Sequence, residues 1–258
     1  MSRLENKRTI VTGGSTGIGL EMVRSLVGKG AEVTAIARHD DKLAAARDAG
    51  ARSIAGDATD AALMARAIED LDPDILVLNA GARLAAKRLD HQNWEDFSAI
   101  WNTDVKATFV GIQAALDKPL RPGSRVLVTS SGAAMVMSLP AIRPEHLRMS
   151  GGYVGAKRMV WFMAHQANAV SRERDLGIRF QVLVPSQLMA GTELGCTVAA
   201  AYAEAEGITI DEHILGRYGS HLTPEQVGRQ VAELLGDPAY GTGVAYGIRA
   251  DVQPIPLD

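Results

Sequence analysis

A short apolar strand, a glycine-rich turn and a helical pattern follow one another near the start of the chain. The strand is Thr9–Val11, the turn covers residues 12–19, and a helix is predicted over residues 20–27. Glycines let a backbone approach phosphate groups closely, and a helix N-terminus offers unpaired N–H groups at the positive end of its dipole. This order predicts a site for a dinucleotide pyrophosphate. Its predicted residues are Gly13, Ser15, Thr16, Gly17, Ile18 and Gly19.

Strand and helix patterns alternate along the rest of the chain. Continuous apolar runs such as Asp74–Leu78 are typical of strands covered on both faces. The predicted strands are 9–11, 31–37, 53–55, 74–78, 125–129, 178–184 and 245–248. The predicted helices are 20–27, 40–49, 60–71, 94–116, 153–172, 197–206 and 223–235. The alternation predicts an α/β fold, a doubly wound, Rossmann-like parallel sheet with helices on both faces.

Composition narrows the class of protein further. The 258 residues are most simply one domain, 1–258, although the length alone also permits two. A net charge of -3 without a cluster of Lys or Arg gives no electrostatic basis for binding nucleic acid or an anionic membrane. The single Cys196 excludes an internal disulfide, and no secretory signal is evident at the N-terminus, so we expect a cytoplasmic protein.

Two long segments interrupt the alternation, 132–152 and 186–222. Connections that leave the carboxyl ends of parallel strands border the ligand crevice, and segments this long are uncommon unless functional. We therefore expect them to form the substrate pocket, although they could be surface excursions. The apolar residues that suggest a partly hydrophobic substrate are Met135, Val136, Met137, Leu139, Leu188 and Met189. Some of these could instead pack in the core or between subunits.

Arg38 follows the second predicted strand directly. An acidic residue at that strand end would bind the ribose 2′-hydroxyl of NAD, whereas the strand here ends on Ala37. A guanidinium pairs with phosphate through two parallel hydrogen bonds, so Arg38 favours the 2′-phosphate of NADP. Ser15 and His39 could add to that site. The alternative is a solvated arginine at a strand end.

Polar or small residues follow the third and fourth strands. Asp57, next to Ala58, is placed to accept a hydrogen bond from the adenine amino group, although it could equally form a turn or cap the helix that Asp60 caps. Asn79, Ala80 and Gly81 close the fourth strand and would leave room for a cofactor ribose. A structural turn is the competing interpretation, since Asn and Gly are common turn residues.

Tyr153 and Lys157 form the decisive pair. Four-residue spacing on a helix places the phenol and the ammonium on one face. A free phenol titrates near pH ~10, and a neighbouring cation stabilises the phenolate, which suits proton exchange with a carbonyl or alcohol oxygen. Ser130 and Ser131 end the preceding strand and supply hydroxyls that could hold a substrate oxygen. Alone, such a pair is usually an exposed helix face, and serines at strand ends are common.

Together these residues resemble the short-chain dehydrogenase/reductase family. The resemblance spans Lys7 to about Ile248, and residues 12–19 match the family's Thr-Gly-x-x-x-Gly-x-Gly turn. It implies that Tyr153 is the general acid/base, that Ser131 donates to the substrate oxygen, and that Lys157 contacts the nicotinamide ribose and tunes the phenol. It also implies a small-molecule substrate and a homo-oligomer, a dimer or tetramer, formed through the helices 94–116 and 153–172. No metal site is predicted.

Three departures from the family pattern concern the active site. Asp104 stands where the family usually has asparagine, and Asn102 lies about 200° away round the helix, so it is no simple replacement. Asp104 could keep the asparagine's water-binding role, or its charge could alter Lys157. Ser131 and Tyr153 are further apart in sequence than is typical. Pro185 is followed by Ser186 rather than glycine, which could move a nicotinamide contact to Thr192.

The leading hypothesis is an NADP(H)-dependent oxidoreductase that interconverts a ketone or aldehyde with an alcohol. One alternative is a nucleotide-sensing or scaffolding protein with weak catalysis, which Asp104 and the unusual loops would suit. Intact Ser131, Tyr153 and Lys157 argue against that alternative. Another is a nicotinamide-dependent epimerase or dehydratase, which would leave no net change in the redox state of its cofactor.

Overall fold

One eight-stranded sheet organises the computed structural model, which describes residues 3–135 and 148–258. The strand order is β3-β2-β1-β4-β5-β6-β7-β8, parallel throughout except for the antiparallel pairing of β8 with β7. The strands are β1 Arg8–Thr12, β2 Glu32–Ala37, β3 Arg52–Ala55, β4 Ile75–Leu78, β5 Arg125–Thr129, β6 Arg179–Pro185, β7 Ala245–Ile248 and β8 Ile255–Pro256. The order reverses direction between β1 and β4, as in a doubly wound, Rossmann-like sheet, so the predicted fold class is confirmed.

Helices connect the parallel strands. In the described ranges they are α1 Gly17–Gly28, α2 Ala44–Asp48, α3 Ala61–Leu71, α4 Trp94–Ile100, α5 Lys106–Asp117, α6 Tyr153–Glu173, α7 Glu193–Glu206, α8 Ile210–Tyr218 and α9 Pro224–Gly236. Side-chain caps fix two of the helix starts. Asp60 accepts hydrogen bonds from the backbone of Ala62 and Leu63, and Thr223 forms a capping box with Gln226.

The sheet separates two apolar cores, one on each face. Successive strand residues point to opposite faces, so Val11 packs with α1 and α9, whereas Ile10 packs with α3, α5 and α6. All four residues of β4 are buried, as expected for a central strand covered by helices on both sides. Helices therefore lie on both faces, and the carboxyl ends of the strands remain uncovered by either core.

The structure corrects the sequence prediction in four places. The predicted helix 94–116 is interrupted by a π-helical turn, Trp101–Val105, between α4 and α5. Helix α8 falls in a segment for which no helix was predicted, and β8 adds an antiparallel edge to a sheet expected to be parallel. The predicted helix 40–49 divides into a 3₁₀ turn, Asp41–Leu43, and the short α2.

Candidate active site

A crevice of about 1480 Å³ opens at the carboxyl ends of the strands. Every residue predicted to bind cofactor or take part in catalysis lines it, although these residues come from all parts of the sequence. They are Gly13, Ser15, Thr16, Gly17, Ile18, Gly19, Arg38, Asp57, Ala58, Asn79, Ala80, Gly81, Asp104, Ser131, Tyr153, Lys157, Pro185 and Thr192. Asn102 is exposed and does not line the crevice.

The glycine-rich turn lies flat against the loop that follows β4. Gly13 has a φ of +68°, and a Cβ there would lie 2.9 Å from the Cα of Ala80. A Cβ on Gly19 would overlap the carbonyl of Gly13. Side chains are therefore excluded at both positions, and the backbone itself forms the crevice floor.

The start of α1 completes a cradle for a diphosphate. Thr16 precedes the helix in an extended conformation, and within the described residues its side chain does not cap the helix. The first backbone N–H groups of α1 therefore receive no hydrogen bond acceptor from the Thr16 side chain. Gly17 and Ile18, which begin the helix, line the crevice. Backbone approach and free N–H groups are what a pyrophosphate requires, so these residues fit a dinucleotide.

Thr12 joins the glycine-rich turn to the end of β4. Its Oγ1 accepts hydrogen bonds from the backbone of Asn79 at 3.0 Å and of Ala80 at 3.2 Å, and donates to the carbonyl of Val77 at 3.3 Å. The amide of Asn79 in turn lies 3.5 Å from the carbonyl of Gly13. Asn79 therefore helps to build the turn and lines the crevice as well, so the structural and ligand interpretations are compatible.

The end of the crevice beyond β2 is basic. Arg38 is exposed there, with His39 and Lys42 on the same wall. Asp40, which lies between His39 and Lys42 in the chain, is bound by Arg47 at 2.9 Å. Lys42 was missed by the sequence analysis, although a second cation four residues after Arg38 was a readable signal.

Asp57 forms a turn at the end of β3. Its Oδ1 accepts a hydrogen bond from the backbone of Thr59 at 2.8 Å, and both residues line the crevice. Of the three interpretations offered for Asp57, the turn is therefore realised, while Asp60 caps the helix. Within the described residues only Oδ1 is engaged in this way, so the second carboxylate oxygen faces the crevice without a protein donor.

Tyr153 and Lys157 begin α6 and share one face, as their spacing predicted. The Nζ of Lys157 lies 5.6 Å from the centre of the Tyr153 ring. It also lies 2.9 Å from Oδ2 of Asp104 and donates to the carbonyl of Thr129 at 3.2 Å. Lys157 and Asp104 are both almost completely buried. The site therefore holds a phenol beside a buried ion pair.

Burial and charge act in opposite directions on Lys157. Burial lowers the pKa of its ammonium, but attraction to Asp104 and Tyr153 and the hydrogen bond to Asp104 outweigh it, so the pKa is raised above its ordinary value. Lys157 is accordingly a cation at neutral pH.

The two serines that end β5 have different surroundings. Ser130 is buried, and its hydroxyl donates to the carbonyl of Lys157 at 2.8 Å, which fixes the first turn of α6 against the sheet. Ser131 lines the crevice, as Tyr153 does, and its Oγ accepts from the backbone of Ala133 at 3.2 Å. The hydroxyl of Ser131 retains its proton for donation to a ligand.

Thr192 faces the glycine-rich turn from across the crevice. It caps α7 by accepting from the backbone of Gly195, and its Cγ2 lies 3.8 Å from a Cβ built on Gly17. Pro185 ends β6 and pairs with Ile248. Nearby, the ion pair of Arg83 with Glu193, at 2.9 Å, joins the loop after β4 to α7.

The segment 186–222 forms the far wall of the crevice through α7 and α8. Tyr202 stacks on His213 with the ring centres 5.4 Å apart, and Glu206 binds the Nδ1 of that histidine at 2.7 Å. All three residues line the crevice and were missed by the sequence analysis. Thr209 and Glu212 form a capping box that signals the start of α8. The other expected segment, 132–152, is described only at its ends, and Val136, Met137 and Leu139 lie outside the described residues.

Fold and crevice define a nicotinamide dinucleotide-binding enzyme, and comparison with known proteins agrees. Residues 7–144 match the family model described as short chain dehydrogenase, so the chain belongs to that family of oxidoreductases and uses NAD or NADP.

Three of its relatives are dehydrogenases with differing substrates in their names. A D-threitol dehydrogenase from Mycolicibacterium smegmatis is 35% identical over 75% of this chain and 74% of that protein. The 2-(S)-hydroxypropyl-CoM dehydrogenase 3 of Xanthobacter autotrophicus is 26% identical over 96% of each chain. A 3-beta-hydroxysteroid dehydrogenase from Comamonas testosteroni is 26% identical over 92% of this chain and 91% of that protein.

Two kinds of feature are absent from residues 3–135 and 148–258. These residues contain no helix that is both long and apolar enough to span a membrane. Within the same ranges, no three His, Cys, Asp or Glu residues are grouped as metal ligands would be.

Proposed function

We propose that this protein is an NADP(H)-dependent oxidoreductase that interconverts a ketone or aldehyde with an alcohol, using Tyr153 as general acid/base. The observation that carries the proposal is the placement of Tyr153 beside the Lys157–Asp104 pair on the same crevice as the diphosphate cradle. A pure nucleotide sensor has no need of a phenol beside a buried cation. We further infer that residues 1–258 form a single NAD(P)-binding domain around the one sheet.

Tyr153 handles the proton of the reaction. A bound nicotinamide supplies a hydride to the carbonyl carbon, or removes one from the alcohol carbon. During reduction the phenol of Tyr153 gives its proton to the carbonyl oxygen, and the phenolate is reprotonated from solvent. During oxidation the phenolate removes the hydroxyl proton instead. Ser131 donates a hydrogen bond to the same oxygen and so orients it towards the phenol.

Lys157 has two roles in this account. Its positive charge stabilises the phenolate of Tyr153, and one ammonium proton remains for a ribose hydroxyl after bonds to Asp104 and Thr129. Lys157 is buried, and its carbonyl accepts a hydrogen bond from Ser130, which directly follows β5. Both features hold the ammonium in place.

The basic end of the crevice favours NADP over NAD. Arg38 and Lys42 line the crevice beyond β2, and β2 ends on uncharged Ala37, which together support binding of an adenosine 2′-phosphate at this end. Ser15 and His39 supplement this phosphate site. Asp57 and Ala58 would border the adenine, while Pro185 and Thr192 would border the nicotinamide.

The substrate is proposed to be a small carbonyl compound or alcohol with an apolar part. Leu188 and Leu194 pack in the apolar cluster that includes Tyr202 and Tyr153. The names of the relatives include a steroid, a polyol and a coenzyme conjugate, so they do not select one substrate.

A homo-oligomer is proposed to form through α5 and α6. Phe109 on α5 and Phe162 on α6 each expose about half of their surface. Large exposed aromatic side chains on neighbouring helices are typical of a surface that a second subunit covers.

The variant Tyr153→Phe tests the proposed chemistry. It removes the acid/base group but keeps the ring, so turnover of ketones with NADPH should fall by roughly 10²–10⁴-fold. Affinity for NADPH, measured by fluorescence titration, should change less than about twofold, because the diphosphate cradle is separate. The matched control is Tyr240→Phe, which alters a tyrosine outside the crevice. Unchanged turnover of Tyr153→Phe would contradict the assignment.

A further inference from the structure

Both oxygens of the Asp104 carboxylate are occupied by the protein. Oδ1 accepts from the backbone of Ala82 at 2.7 Å, and Oδ2 faces the ammonium of Lys157 at 2.9 Å. The side chain is about 3% exposed. The carboxylate therefore contacts Lys157 directly, without an intervening water between the two groups.

The local backbone is arranged to admit this carboxylate. The π-helical turn Trp101–Val105 places Asp104 against the loop after β4, while Asn102 is exposed. Gly81 lacks the Cβ that would lie 3.1 Å from Oδ2. An amide at position 104 would fit less well, because its NH₂ would face either the ammonium of Lys157 or the N–H of Ala82, and both are donors.

The charged and titratable groups around Tyr153 come from a few elements. Lys157 lies on its own helix, Asp104 comes from the π-helical turn, and Tyr202 of α7 belongs to the same apolar cluster. At the crevice wall Arg83 and Glu193 neutralise one another. Asp104 is thus the anion closest to the cation that serves Tyr153.

We propose that Asp104 is a positioning residue that holds the ammonium of Lys157 in place and offsets its positive charge beside the phenol of Tyr153. The inference rests on the proposed function of Tyr153. A neutral ion pair stabilises a neighbouring phenolate less than a lone cation does, because the carboxylate of the pair repels the phenolate. The pair thereby sets the pH range in which each direction of the reaction runs.

The variant Asp104→Asn tests this with two pH-rate profiles. Reduction requires the phenol and falls at high pH, whereas oxidation requires the phenolate and falls at low pH. Removing the carboxylate should move both the upper pH limit of reduction and the lower pH limit of oxidation to lower pH, by roughly one unit. A purely structural role would lower the rates at every pH and leave the limits in place. Asp96→Asn, on α4 outside the crevice, is the matched control and should leave both limits unchanged.

A second readout does not depend on turnover. Ionisation of a phenol raises its near-ultraviolet absorbance, so the titration of the protein minus that of Tyr153→Phe isolates this one tyrosine among five. In the Asp104→Asn background the same difference titration should shift to lower pH. Asp104→Ser serves as a smaller neutral variant where the amide impairs folding, and should shift the titration in the same direction.

The outcomes separate this inference from the proposed function. A shift to lower pH in both readouts supports the role of Asp104. No shift, or a shift to higher pH in correctly folded variants, would overturn it. If the protein turns over no carbonyl compound at all, the proposed function fails, while the difference titration still decides how Asp104 acts on Tyr153.

Discussion

The two halves of the crevice are built by different means. The cofactor half, residues 12–19 with the ends of β2, β3 and β4, is mostly backbone, and its closest contacts involve glycine. The chemical half, Asp104, Ser131, Tyr153 and Lys157 with α7, depends on side chains and on a buried ion pair. An added side-chain atom would overlap the backbone in the cofactor half, whereas removal of one charge in the chemical half would leave its partner buried and unpaired.

This difference separates binding from chemistry. Thr12 and the glycines fix the glycine-rich turn against the end of β4 without any ionisable group, so the geometry of that turn does not depend on pH. The chemical half contains three ionisable side chains within one contact network, and its activity therefore follows pH. Variants in one half should alter affinity, and those in the other should alter rate and pH dependence.

The largest effect is expected for Gly19→Ala in the cofactor half. The new methyl group would overlap the carbonyl of Gly13, and relief requires the backbone to move. Thermal unfolding should show a loss of about 1–3 kcal/mol in stability, and NADPH titration should show binding reduced beyond detection. Gly28→Ala in the same helix has open space around it and should bind NADPH normally. Normal NADPH binding by Gly19→Ala would contradict the claim that close backbone contacts build the cofactor half.

A smaller and more selective effect is expected for Arg38→Ala. If the guanidinium binds the 2′-phosphate, NADPH affinity should fall by about 1.5–3 kcal/mol, roughly tenfold to a hundredfold, while NADH affinity changes little. Competitive titration with both cofactors measures the difference. Arg66→Ala, an exposed arginine outside the crevice, is the control. Equal losses for the two cofactors would refute the NADP preference.

The cofactor half was the more predictable from sequence because its signals are local. A strand, a glycine pattern and a helix follow within about twenty residues, and the caps at Asp60 and Thr223 were readable in the same way. The sheet and its helices on both faces followed from the alternation of apolar patterns.

For the chemical half, the sequence analysis names Asp104, Ser131, Tyr153 and Lys157 and offers an effect of Asp104 on Lys157 as one alternative, but it does not give their contacts. The direct pairing of Asp104 with Lys157 depends on a π-helical turn, for which the sequence Trp101–Val105 carries no periodic signal. Helix α8 was missed because its apolar pattern is weak, although its capping box was visible. The antiparallel β8 is two residues long and too short for any strand pattern.

Isotope transfer tests the central claim most directly. NADPH carrying two deuterium atoms at C4 of the nicotinamide is incubated with the protein and a panel of apolar ketones and aldehydes, and the products are analysed by mass spectrometry. If the protein is the oxidoreductase proposed here, an alcohol forms with one deuterium on its carbinol carbon, and Tyr153→Phe yields little or none. Binding of NADPH without deuterium in any product, or product formation without net oxidation of the cofactor, would contradict the account.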